Sequence, residues 1–219
     1  MNHLDKEKII ELTKEYVYSE LHNDGSGHDW YHIVRVTNLA KTIAFEEKAD
    51  PYICELAALL HDIADEKLNS SEAEGLQKVE HWINSAGVDR ITTQHVISII
   101  STMSFKGGNQ PKMTTLEGKV VQDADRLDAI GAIGIARTFA YAGSKGELIY
   151  DPELKPRETM TKKQYRNGKS TAINHFYEKL LKLKESMNTN YGKQLAEERH
   201  QIMERYLQDF FNEWKISDQ

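Results

Sequence analysis

Imidazoles and carboxylates are the side chains of this sequence whose types and spacing suit chemistry. Two adjacent His-Asp pairs occur, His28-Asp29 and His61-Asp62. With nine histidines and thirteen aspartates in the chain, such pairs are weak signals alone, so the face each residue occupies must decide. After Asp50-Pro51, the residues Ile53, Leu56, Ala57, Leu60 and Ala64 form an apolar stripe at helical spacing; His61 falls on the stripe and Asp62 one step to its side. An ionised carboxylate beside a core face is costly without a partner, and a divalent cation shared with the imidazole is one sufficient compensation. A satisfied core histidine next to a surface aspartate is the plainer alternative.

His32 stands with Val36, Leu39 and Ile43 at the i+4, i+7 and i+11 positions and so faces inward as well. Further along, Asp125 lies between Val121 and Ala132 on one side of a helical pattern, with Asp128 on its face and Asp123 roughly opposite. Two imidazoles and two carboxylates from three helices make a mixed nitrogen and oxygen set. It suits Mn, Fe, Co, Ni or Mg and, unlike a thiolate site, leaves positions for water and substrate. A cation bound by such a set lowers the pKa of its water and polarises a substrate oxygen, which suits hydrolysis.

The elements that must position these groups are helices. Periodicity near 3.6 recurs almost everywhere and alternating strand-like runs are nearly absent, which predicts an all-α chain of about eight helices. One runs from about Trp30 to Glu47. Asp50 and Pro51, an N-cap and a first-turn proline, open the next, through about Ala64. Ser71 caps a helix that Gly87 ends, Asp89 caps one reaching Met103, and Thr115 caps the pattern EGKVVQDADRLDAIGAIGIARTF. Gly131 and Gly134 inside that pattern signal either close helix packing or a break into two helices. From Gly143 to Ser170 the period is lost; this stretch has seven basic against four acidic residues and reads as a phosphate-attracting lid or as a solvated linker. Two amphipathic helices follow, STAINHFYEKLLKLKES and YGKQLAEERHQIMERYLQDFFNEW, packing on the body or making a homodimer contact.

Composition narrows the class. At 219 residues the chain buries enough surface to fold without disulfides or structural metal, and its single cysteine, Cys54, points to a reducing compartment. The N-terminal stretch lacks the apolar run of a signal peptide and no stretch reaches membrane-spanning length, so the expectation is a cytoplasmic protein without membrane contact. A formal charge of -6 and a pI near 5.9 argue against nucleic acid as a partner but leave room for one phosphorylated small molecule.

The ordered set of His32 in H-x-x-R-V, His61-Asp62 in L-L-H-D-I-A-D and Asp125 in D-A-D-R-L resembles the HD superfamily of metal-dependent phosphohydrolases. GHDWYHIVRV, AALLHDIADEK, ISTMSFKGG, EGKVVQDADRLDAIGAIGIARTFAYAG and INHFYEKLLKL are similar to its small bacterial YpgQ-like subgroup, so the likeness extends over nearly the whole chain. The resemblance implies one all-α domain over 1–219, with an HD core at about 20–142, the basic excursion at 143–170 and C-terminal helices at 171–215. It implies a divalent metal held by His32, His61, Asp62 and Asp125, manganese preferred over Mg, Co, Ni or Fe. It implies a nucleotide partner: a (deoxy)nucleoside triphosphate cut to monophosphate and pyrophosphate, with phosphomonoesterase or phosphodiesterase action as alternatives. A non-catalytic nucleotide sensor is the alternative outside the enzyme class.

Asp65 stands where many relatives have a glutamate that positions or deprotonates water; being one methylene shorter, it leaves Glu66 as a substitute. His28, one turn before His32, is a candidate for phosphate contact or for orienting the helix start. His95, on a stripe with Ile91 and Ile99, is a candidate for substrate binding or a core histidine. Lys67 and Arg126 flank the ligands as candidates for neutralising phosphate, Arg126 alternatively pairing with Asp123 or Asp128.

Overall fold

The computed structural model describes residues 3–22, 29–65, 68–103, 112–158 and 168–214. Among the described residues there are nine α-helices and no strand, as the periodicity predicts. They are α1 (His3–Leu21), α2 (Trp30–Glu47), α3 (Pro51–Leu60), α4 (Glu72–Ser85), α5 (Arg90–Met103), α6 (Leu116–Asp128), α7 (Gly131–Lys145), α8 (Ala172–Glu178) and α9 (Asn190–Trp214). The chain divides into two compact units, residues 1–125 and 126–219, with the division inside α6.

In the first unit α3 is the hub, contacted by α1, α2 and α5, while α4 packs on α5. Its composition explains the position: Cys54 and the whole run Leu56, Ala57, Ala58, Leu59 and Leu60 are buried, so the helix is apolar almost all round. Asp50 caps it, accepting from the N–H groups of Tyr52 at 2.9 Å and Ile53 at 3.3 Å. Ser71 accepts from Glu74 N–H, Asp89 from Ile91 and Thr92 N–H, and Thr115 from Gly118 N–H, so each predicted cap forms. Cys54 donates to the Glu117 carbonyl, and burial pushes its thiol above the ordinary range, which makes it an unreactive core residue.

The helix opened by Asp50 changes form before its expected end. After Leu60 the chain tightens into a 3-10 turn, His61–Ala64, and α4 packs directly on that turn. Gly75 permits the approach: a Cβ there would lie 2.6 Å from the Ala64 carbonyl oxygen.

In the second unit the glycine question resolves as a break. Gly131 adopts φ +75°, a left-handed backbone that favours glycine, and α7 starts there. α7 packs on α8 and α9, with Phe176 stacked on Tyr206 at 5.8 Å between ring centroids and Phe139 edge-on to Tyr206. α7 also continues to Lys145, so the irregular stretch begins at Gly146 rather than Gly143. Its described part is tethered. Arg157 pairs with Glu178 at 2.6 Å, Asn174 donates to the Leu154 carbonyl, and Lys182 donates to the Glu158 carbonyl. The expected helix over STAINHFYEKLLKLKES is shorter than its period suggests: α8 stops at Glu178 and 3-10 turns cover Leu180–Lys182 and Lys184–Ser186. The tighter turn brings i and i+3 into register, which places Leu180 and Leu183 together in the core.

Candidate metal centre

Two elements of the first unit bring three ligand-type side chains together, His32, His61 and Asp62, and α6 sets a fourth, Asp125, beside the two imidazoles. His32 lies in the first turn of α2, where Asp29 is the N-cap and accepts the backbone N–H of His32 at 2.8 Å. The ring is fully buried, and its Nε2 lies 3.3 Å from Asp62 Oδ2 and 3.6 Å from Asp125 Oδ1. His61 occupies the junction of α3 and the 3-10 turn. Consecutive side chains leave a helix about 100° apart, so His61 and Asp62 meet only if the ring lies along the surface. It is held there by Nδ1, 2.8 Å from the Ala58 carbonyl. That carbonyl takes the Nδ1 proton, which leaves the lone pair on Nε2. Nε2 of His61 is buried without a hydrogen-bond partner, 3.3 Å from Asp62 Oδ1 and 3.9 Å from Asp125 Oδ1.

Ligands about 2.1 Å from one cation stand about 3.0–3.5 Å from each other, close to the 3.3–3.9 Å separations here. The donor atoms of His32, His61 and Asp62 all lie within 4.8 Å of one another. The residues therefore fit a divalent cation, on the strength of an orphaned buried imidazole nitrogen and a hard, thiolate-free donor set. Within the cluster the Asp125 side chain is 38% exposed, whereas those of His32, His61 and Asp62 are buried.

Asp65 ends the turn. Its φ of -65° keeps it in register with the preceding residues while its ψ of 138° takes the chain away, and its N–H donates to the Asp62 carbonyl at 3.0 Å. That i to i+3 backbone bond sets Asp65 one turn past Asp62. His28, Glu66 and Lys67 lie outside the described residues. His95 is brought to Glu117, its Nε2 3.6 Å from Oε2, while the other Glu117 oxygen accepts Asp50 N–H at 3.1 Å. Arg126 donates to the Ser186 carbonyl. Asp128 pairs with Arg137 at 2.7 Å, and Asp123 is fully buried. A surface cavity of about 500 Å³ between α1 and α4, lined among others by Tyr16, Asn69 and Trp82, contains none of the four cluster residues.

Three residues that place the site have no chemistry-bearing pattern of their own. Asp29 reads as a helix N-cap, a signal present in the sequence. Asn69, whose amide donates to the Ile63 and Asp65 carbonyls, and Gly75, which admits α4, carry no such signal because their partners are distant or backbone atoms.

An all-helical unit whose facing helices bring a histidine, a His-Asp doublet and an aspartate to one buried point is the architecture of an HD domain. Residues 29–130 match the HD domain family model, and the chain belongs to that family. It is 42% identical to YpgQ of Bacillus subtilis over 202 residues, 91% of either chain. The crystal structure of that protein in complex with ADP superposes with a TM-score of 0.78, covering 98% of this chain and 100% of that one. An HD-superfamily hydrolase from Bacillus thuringiensis, 48% identical, superposes with a TM-score of 0.76 over 97% of this chain and 100% of its own. A Lactobacillus plantarum protein of solved structure, 44% identical, gives 0.86 over 95% and 97%. Among the described residues no helix is long and apolar enough to cross a membrane.

Proposed function

We propose that the chain is a metal-dependent nucleotide pyrophosphohydrolase, cutting a (deoxy)nucleoside triphosphate to the monophosphate and pyrophosphate. The observation that carries this reading is the convergence of His32, His61, Asp62 and Asp125 on one point with His61 Nε2 left without a hydrogen bond. These four residues hold a divalent cation, manganese in preference. When bound, the cation supplies an activated water and polarisation of a phosphoryl oxygen. The nucleotide class is supported by the ADP complex of the 38% identical YpgQ structure. ADP contains the α,β-phosphoanhydride, the bond broken in the proposed reaction.

The chain's own residues divide the remaining work. The exposed side of Asp125 is the entry for substrate. Asp65 accepts a proton from the attacking water, a role supported by its place one turn past Asp62. The α-phosphorus–oxygen bond to the pyrophosphate breaks as the water oxygen bonds to the α-phosphorus. Pyrophosphate leaves with its charge met by basic groups, Lys67 and His28 first. Arg126 is the weaker candidate for that role because it donates to the Ser186 carbonyl, and His95 because it faces Glu117.

The test is hydrolysis of a panel of NTPs, dNTPs, ADP and NMPs by metal-stripped protein resupplied with Mn²⁺, separating pyrophosphate from orthophosphate, with Asp62→Ala as control. Pyrophosphate that disappears in the control is the expected result. Orthophosphate from monophosphates alone would replace the reading with a nucleotidase. Tight nucleotide binding without turnover across Mn, Mg, Co and Ni would replace it with a sensor.

A further inference from the structure

The turn that carries His61 and Asp62 is also the end of a helix, and helix ends leave carbonyls without intrahelical partners. One side chain answers two of them. Asn69 Nδ2 donates to the Ile63 carbonyl at 2.8 Å and to the Asp65 carbonyl at 2.9 Å. These two N–H bonds use both protons of the amide. The Asp65 carbonyl also accepts from Leu68 N–H at 3.0 Å.

The carbonyls held are those of the residue after Asp62 and of Asp65 itself. Holding them fixes the peptide plane after Ile63, which lies between Asp62 and Asp65, and the plane that follows Asp65. α4 packs close to both groups, since a Cβ on Gly75 would stand 2.8 Å from Asn69 Nδ2 and 2.6 Å from the Ala64 carbonyl oxygen. The requirement is chemically narrow. Aspartate has the same shape but no donors, and would set carboxylate oxygens against two carbonyls; alanine leaves both carbonyls unanswered.

We propose that Asn69 is a positioning residue of the metal centre, clamping the 3-10 turn so that His61 and Asp62 present their donor atoms at cation spacing and Asp65 stays in register with them. This rests on reading the cluster as a metal centre. Outer partners of this kind change metal affinity by about 10–100-fold when removed.

The experiment is titration of the full metal-free chain with Co²⁺, followed by calorimetry and by the visible d–d absorption that reports ligand geometry. It compares the unsubstituted protein with Asn69→Ala and Asn69→Asp, each checked for helicity by circular dichroism. Asp89→Ala, which removes the α5 N-cap, serves as the stability control. Expected is a 10–100-fold weaker Co²⁺ affinity and an altered spectrum in whichever Asn69 variant folds, with both unchanged in Asp89→Ala despite its lower Tm. Unchanged affinity and spectrum in a folded Asn69 variant, or an equal change in Asp89→Ala, would overturn the proposal and leave the metal reading standing. Absence of Co²⁺ binding by the unsubstituted protein would overturn both.

Discussion

The Asp62 carboxylate reaches both imidazoles, with Oδ2 3.3 Å from His32 Nε2 and Oδ1 3.3 Å from His61 Nε2. It is buried and lies on a turn rather than a regular helix, so its charge needs an answer from within the cluster. One substitution there removes the carboxylate that the two rings share. In Asp62→Ala, the divalent-metal stoichiometry measured by elemental analysis is expected to fall to none, and turnover to drop at least ~100-fold. A bound divalent metal at 100 times its Kd would raise the stability of the unsubstituted chain by about 2.7 kcal/mol; a comparable thermal shift in the variant would rule out Asp62 as a ligand.

Asp29 acts on the site through backbone. Its carboxylate caps α2 and fixes the first turn that carries His32. Asp29→Ala lowers stability by about 1 kcal/mol, read as a fall in the urea midpoint, and weakens metal binding. Asp29→Ser restores both, since a serine oxygen also caps. A serine variant as weak as the alanine variant would mean that Asp29 acts by its charge instead.

Gly75 is a steric prediction. A methyl group there meets the Ala64 backbone at 2.6 Å and 2.8 Å, which cannot swing aside, as well as the Asn69 amide at 2.8 Å. Gly75→Ala is expected to cost about 1–3 kcal/mol despite alanine's better helix propensity. A Tm equal to or above that of the unsubstituted protein would show that α4 can retreat from the turn at little cost.

Acid sensitivity should arise in the second unit. Burial pushes the His175 imidazole from its ordinary 6.5 down to about 3, helped by Lys179 and Arg157 and opposed by Glu178. Between those two values the unfolded chain binds a proton that the folded chain refuses, so stability is complete above pH 6.5 and falls as the pH drops through it. For Glu178, burial pushes the carboxyl up, but the hydrogen bonds and charge of Arg157 outweigh it and hold the group below its ordinary 4.5. Its contribution is therefore present above pH 4.5 and is lost on further acidification. In Tm measurements from pH 7.5 to 4, His175→Gln flattens the slope between pH 6.5 and 4.5 and, below pH 4.5, reduces it to the part that Glu178 contributes. A variant slope as steep as the original in that upper window would contradict the assignment.

Much of this molecule is local information. The bounds of α2, the caps at Asp50, Ser71, Asp89 and Thr115, and the inward faces of His32 and His61 follow from helical period and capping chemistry, which depend only on neighbours in sequence. So does the choice of His32, His61, Asp62 and Asp125 as a donor set, because each lies on or beside an apolar stripe. The tertiary structure decided the rest. The switch to a 3-10 turn at His61 goes with the Asn69 bonds and the α4 backbone admitted by Gly75. His95 turns to Glu117 and Arg157 to Glu178, pairs separated by 22 and 21 positions. Such partners meet only after the helices have packed; residue type states what a side chain can bond, and the packed neighbours select which bond it makes.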